Sequence, residues 1–305
     1  MKRLLTFFAT TAAWSCLGVA HSSAAIVTDD LEFNWDASTA TPGTDWTSSA
    51  PAGNTSATWD TTGTDPVLGA VSSATTITQA YGFDGVGGDS IVSIGGVDQF
   101  AALAPDASFE LWIRPTDLTG EHILFETGGN GRGLAIALNG DDVVVLFKEA
   151  GAPPDPSDVV LTSELSASDI NDFIQIVVTT DGADSGPASH NLYVNALGTA
   201  DASIVDASSS FAFGDFGGTD EAQLGTAGQV GGSDAGSSAG GSDDPIDNDE
   251  TYSDFIGDIG ILRIYDDVLS GEEVASNFNA VVPEPGSLAL LVLGGACVMA
   301  RRRSA

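Results

Sequence analysis

The stretch that most constrains this chain is Phe255–Phe278, FIGDIGILRIYDDVLSGEEVASNF. Ile259, Ile261, Ile264 and Tyr265 are interleaved with Asp258 and Arg263, a spacing that predicts a half-buried strand of period two. Asp266-Asp267 then breaks the strand. Ser270 followed three places on by Glu273 predicts a capping box and one short helical turn. A strand of this kind is stable only against partners, and the partners must come from earlier in the chain.

Several earlier stretches qualify. Leu31–Ala37, LEFNWDA, reads as a first strand, and Tyr81–Gly85 followed by Asp89–Ile94 as a later pair. In Phe109–Pro115, FELWIRP, Phe109, Leu111 and Ile113 point one way and Glu110, Trp112 and Arg114 the other. Pro115 ends that run because it cannot donate to a sheet ladder. Ile123–Thr127, Leu134–Leu138 and Val143–Lys148 read as a meander joined by the turns 128–133 and 139–142. Phe173–Thr180, Asn191–Asn195 and a short strand in Glu221–Gly225 complete the set. The Thr/Ser/Gly/Pro-rich stretch up to Leu68 reads as long loops with short strands, and 149–158, with its three prolines, as a loop. Residues 228–249 hold too few apolar groups to order themselves and read as a mobile insertion.

The terminal F-x-G-x-I, R-I-Y, L-S-x-x-E and N-F pattern, the Phe83-Asp84-Gly85 triplet, FELWIRP, FIQIVVTT before Asp181-Gly182, and NLYVN together resemble the laminin-G-like (concanavalin A-like) superfamily. That resemblance implies an all-β jelly-roll β-sandwich. Some of its members carry a calcium ion at the rim of the sandwich, which makes Asp84 and Asp181 candidate metal ligands and calcium the one cofactor left open.

The two ends of the chain have a different character. Lys2 and Arg3 precede an apolar run from Leu4 to Ala20 and the small residues Ser22–Ala25, which is the anatomy of a signal peptide helix cleaved after Ala25. At the other end, Val282-Pro283-Glu284-Pro285 precedes an apolar run, Leu288–Ala300, and then Arg301, Arg302 and Arg303. This order resembles the PEP-CTERM sorting signal of Gram-negative bacteria, which implies recognition by an exosortase-type processing enzyme. A short hydrophobic helix would stall in the inner membrane, and the three arginines would hold its end in the cytoplasm. The expected organisation is therefore a signal segment over 1–25, one sandwich domain over 26–281 and a sorting segment over 282–305.

The chain carries 9 Lys and Arg against 43 Asp and Glu, a formal net charge of −34. Five of the nine cations lie in the two end segments, leaving Arg114, Arg132, Lys148 and Arg263 between them. Recognition of nucleic acid needs a basic footprint, so no nucleic-acid partner is expected. The acidity fits solubility at a crowded surface, or calcium coordination by some of the aspartates. Both cysteines, Cys16 and Cys297, fall in the end segments, so the expected exported body has no disulfide.

Catalytic patterns find little material. Gly236–Gly240, GSSAG, matches a nucleophile elbow in letters but lacks the strand and helix that the motif needs. Only His122 and His190 lie in the body, and Glu110 stands alone on its strand, where it is read as solvated or salt-bridged. The acidic cluster Asp243–Glu250 lacks the spacing of an EF-hand, and Asn54-Thr55-Ser56 is a glycosylation sequon by pattern only. Trp46 and Trp59 read as anchors that pin a loop to the sheet. If a sugar bound without calcium, exposed rings such as Trp46, Trp59 and Trp112 would be its candidate platforms. The expected function is non-catalytic: binding an extracellular polysaccharide or a surface protein at the cell surface or in the extracellular matrix. A structural component of the polymer layer without a specific ligand is the alternative, and an enzyme acting on polysaccharide is a third reading.

Overall fold

The computed structural model describes residues 24–50, 57–61, 66–85, 91–92, 106–129, 132–148, 159–182, 188–210, 222–225 and 252–283. In chain order the strands are β1 (Leu31–Asp36), β2 (Trp46–Thr47), β3 (Thr58–Trp59), β4 (Val67–Ala70), β5 (Gln79–Asp84), β6 (Ile91–Val92), β7 (Ala107–Pro115), β8 (Glu121–Gly129), β9 (Arg132–Asn139) and β10 (Asp142–Lys148). They continue with β11 (Val159–Glu164), β12 (Ile174–Asp181), β13 (Ser189–Asn195), β14 (Ala207–Ser209), β15 (Gln223–Leu224), β16 (Tyr252–Ser253) and β17 (Ile256–Tyr265). Among the described residues one α-helix, α1 (Gly271–Val281), follows β17.

The strands form two large sheets and one small hairpin. The first sheet runs β14-β13-β12-β7-β17-β5-β4, with β1 also paired to β17; the second runs β11-β10-β9-β8-β15-β6, with β16 against β8; β2 and β3 pair with each other. Alternation drives the layering, because every second side chain of a strand faces the same way. Phe109, Leu111 and Ile113 of β7 meet Leu134, Ile136 and Leu138 of β9 and Val143, Val145 and Phe147 of β10 in one buried cluster between the sheets. The fold is an all-β sandwich, as the strand pattern predicts.

β17 organises the first sheet. Along one side it pairs with β7 from Gly257 to Tyr265. Along the other it pairs first with β5, Ile256 to Ile259, and then with β1, Ile261 to Tyr265. The register shifts between Ile259 and Ile261, where the strand changes partner. Gly260 sits at that bulge because a Cβ there would lie 2.9 Å from Cγ2 of Ile77 and 3.1 Å from the Phe173 ring.

Two sequence expectations need correction here. β17 is not half-buried: from Ile259 onward both faces are covered. The cover is α1, which is not a single turn but an 11-residue helix, about three turns. The capping box does form, with the Ser270 hydroxyl accepting from the Glu273 amide and the Glu273 carboxylate accepting from the Ser270 amide. Glu272 and Glu273 in the first turn complement the helix dipole. At the other end Pro283 forces the preceding Val282 into extended backbone (φ −97°, ψ 105°), which stops the helix.

Several expected features lie outside the described residues: most of the signal segment, Asn54–Ser56, the proline loop, the insertion at 228–249 with its GSSAG and acidic cluster, and the sorting residues from Glu284 onward. Among the described residues no helix is long and apolar enough to cross a membrane.

Candidate functional site

The outer face of the first sheet carries a buried polar cluster beneath α1. Strand β7 delivers Glu110 there because its neighbours Phe109 and Leu111 turn into the sandwich. The carboxylate is fully buried. Its Oε1 accepts from Trp112 Nε1 at 2.7 Å, Gln175 Nε2 at 2.9 Å and Arg263 Nη1 at 3.2 Å. Its Oε2 accepts from Asn277 Nδ2 at 2.9 Å, from Arg263 Nη1 at 3.2 Å and from Tyr265 Oη at 3.3 Å.

The cluster continues outward. Asn195 Nδ2 donates to Gln175 Oε1 at 3.0 Å and Arg263 Nε donates to Asn34 Oδ1 at 3.2 Å. The amide of Val27 donates to Asn277 Oδ1 at 2.7 Å. A buried charge is tolerated only when paired and hydrogen-bonded, and here both oxygens are saturated with donors. Burial pushes the Tyr265 phenol well above the ordinary tyrosine range, and the Glu110 charge pushes it further. Burial alone would lower the Arg263 guanidinium, but the adjacent carboxylate reverses this and holds it above its usual value. With no exposure to solvent, Glu110 reaches no substrate; the arrangement locks α1, the N-terminal segment and the five strands β1, β7, β12, β13 and β17 together. The salt-bridged reading of Glu110 holds and the solvated one does not.

Packing around the cluster completes the dock. Phe278 stacks on Trp112, with ring centroids 5.8 Å apart and planes at 14°. Val281 and Phe278 join Ile77, Ile261 and Phe173 in an apolar cluster of their own. The Val281 carbonyl accepts from the Thr76 amide at 2.8 Å.

The other sequence-derived candidates are scattered. Asp84 ends β5 opposite Ile256, beside the Pro115 end of β7. Asp181 follows Thr180, which faces Ala107 at the opposite end of β7. Nine residues of strand separate them, a distance of ~27 Å, so one ion cannot be shared by the two. Among the described residues no group of three His, Cys, Asp or Glu side chains comes together. His122 is buried with Nδ1 2.8 Å from the Asp254 carbonyl oxygen, and His190 is buried against the Phe147 ring, 4.5 Å between centroids.

The aromatic candidates are corrected outright. Trp46, Trp59 and Trp112 are all at most 1 % exposed, so none is a surface platform. Trp46 and Trp59 face each other across the β2–β3 hairpin and pack on Tyr81 and Trp35, which is the anchoring role expected of them. Of the sorting residues, Val282 caps α1 and packs, partly buried, against the Ile77–Trp112–Phe278 cluster with Pro283 next to it, and the predicted cleavage residue Ala25 accepts from the Ser276 hydroxyl at 3.0 Å.

The hub itself escaped the sequence reading. Its signal was present: Glu110, Gln175 and Arg263 each stand between two large apolar neighbours in their strands, and the register places Arg263 opposite Glu110.

Residues 281–303 match the family model described as the PEP-CTERM protein-sorting motif. The chain carries that sorting motif at its C-terminus. The motif marks an exported protein and begins on the last residue of α1. A search of curated proteins finds no match.

Among solved structures the chain is similar to the botulinum neurotoxin type G receptor binding domain, with 13 % identity and a TM-score of 0.53 over 82 % of this chain and 51 % of that one. A second structure of the serotype G binding domain gives 15 % identity and a TM-score of 0.53, over 81 % and 50 %. The serotype D ligand binding domain in complex with N-acetylneuraminic acid gives 13 % identity and a TM-score of 0.51, over 83 % and 50 %. The chain spans about half the length of these domains. At such identities the likeness establishes the β-sandwich fold.

Proposed function

We propose that this protein is an exosortase-sorted component of the bacterial cell surface or extracellular matrix. In this reading residues 26–281 form one laminin-G-like sandwich that binds a carbohydrate or a protein partner without catalysis. The observation that carries the sorting half is the PEP-CTERM match at 281–303, which begins on the last residue of α1. The C-terminal apolar run would hold the protein in the inner membrane until an exosortase-type enzyme processes it. Replacing Glu284 and Pro285 by Ala should leave unprocessed protein in the membrane fraction. Release of a shortened product from that variant would contradict the sorting reading.

The binding half rests on fold-level analogy, since the similar solved structures are binding domains. The buried, donor-saturated Glu110 supports a non-catalytic role for that carboxylate. One observation favours the alternative of a purely structural component: the burial of Trp46, Trp59 and Trp112 removes the aromatic platforms on which a sugar would stack. A glycan-array screen of the released protein, run with calcium and again with chelator, decides between the two. Binding to a defined sugar supports the lectin-like reading, and calcium dependence would point to the aspartates at the rim. Silence in both conditions favours the structural or protein-partner role.

A further inference from the structure

The body does not hang from its sorting motif by a free tether. Val281, the first residue of the motif, is 3 % exposed and its carbonyl is held by the Thr76 amide. The loop that holds it, Val71–Thr78, is itself fixed. Arg114 Nη1 donates to the Ser72 carbonyl at 3.1 Å. The Ala74 amide donates to Asp172 Oδ2 at 2.6 Å, and the Ser73 hydroxyl donates to the Ile77 carbonyl at 3.1 Å. Ser72, Ala74, Thr76 and Thr78 face solvent, a surface of small and hydroxyl groups.

Chain length then limits what can happen next. From Val281 to Glu284 is three residues, a reach of at most ~10 Å. From Val281 to Leu288, where the apolar run begins, is seven residues, at most ~25 Å. An enzyme whose active centre holds Glu284 must therefore lie against whatever protein surface sits within that reach.

We infer that the processing enzyme docks on the folded sandwich itself, over the Val71–Thr78 loop and the last turn of α1, when it reads the sorting motif. This rests on the sorting reading above. Pro283 has a second role in it: by ending α1 at Val281 it fixes the point from which the motif leaves the body.

The test uses the full-length chain in cells that hold the processing enzyme, followed by pulse-chase. Ala74→Trp and, separately, Ala74→Arg place bulk on the loop at an exposed position. A third variant carries ten additional Gly/Ser residues between Val282 and Pro283, and a fourth combines that spacer with Ala74→Trp. Protease resistance of the membrane-bound precursor checks that each body is folded. The expected result is processing slowed at least tenfold by either substitution, and restored to near the original rate when the spacer moves the body out of reach. Unaltered processing of both loop variants would overturn the docking surface, and so would slow processing that the spacer fails to rescue. If the Glu284→Ala, Pro285→Ala control is still processed, the sorting reading fails first and the docking inference with it.

Discussion

Glu110 takes a negative charge to a place that water does not reach, and five side chains decide what that costs. Removing the charge leaves Arg263, 3 % exposed, without its counter-ion. Glu110→Gln should therefore lower the unfolding free energy of the released protein by about 3–5 kcal/mol, read by chemical denaturation. A loss under about 1 kcal/mol would mean that the hub is decorative. Tyr265 gives a second test, by pH. Its folded pKa is raised, so the folded state keeps a proton that the unfolded chain releases above about 10. Stability is then intact below that value and falls as pH rises beyond it, by about 1.4 kcal/mol per unit for one such group. Tyr265→Phe should lower this alkaline slope, whatever it does to stability at pH 7, leaving the part due to Tyr81 and Tyr193, whose phenols burial also raises. An unchanged slope would contradict the assignment. The hub was only partly legible in the sequence. The alternation of β7 placed Glu110 on the face opposite Phe109 correctly, but a lone polar residue among apolar ones reads the same whether water or a buried network satisfies it.

α1 shows the same limit at the level of an element. Its start was legible, because Ser270 and Glu273 cap it by local chemistry. Its length was not. Ser276, Asn277 and Asn279 are modest helix formers, and what sustains the helix is tertiary: Phe278 on Trp112, Asn277 on Glu110, and Val274 and Val281 in the apolar contacts on either side. Ser270→Ala should cost about 1 kcal/mol by removing the cap, measurable as a lower denaturation midpoint with unchanged cooperativity. No change would mean that docking alone sets the start of the helix. Strands β11 and β14 were missed for a related reason. Val159–Glu164 follows the proline loop, and Ala207–Ser209 has no apolar alternation, so both are fixed by pairing with β10 and β13 and not by their own pattern. In the turn after β13, Gly198 supplies the positive φ (φ 94°).

At the scale of the molecule, the two ends of the sandwich meet on one helix. The Val27 amide is held by Asn277, and the sorting motif starts four residues further along at Val281, ~6 Å along the helix axis. The predicted new N-terminus after cleavage at Ala25 and the exit to the membrane thus share one face of the body. The inner strands of both sheets were legible, because runs such as β7 display their apolar pattern openly, whereas β11 and β14, at the ends of the two sheets, were not. Which face would be covered was not, because the covering helix and the strands beneath it lie far apart in the chain. In the proposed sorting route, processing at the C-terminus releases the folded sandwich from a membrane-held precursor. The intact mass of the protein released from cells reads out that step. The predicted result is a chain that lacks both the first 25 residues and the Leu288–Arg303 segment. A released protein that still carries Arg301–Arg303 would contradict it.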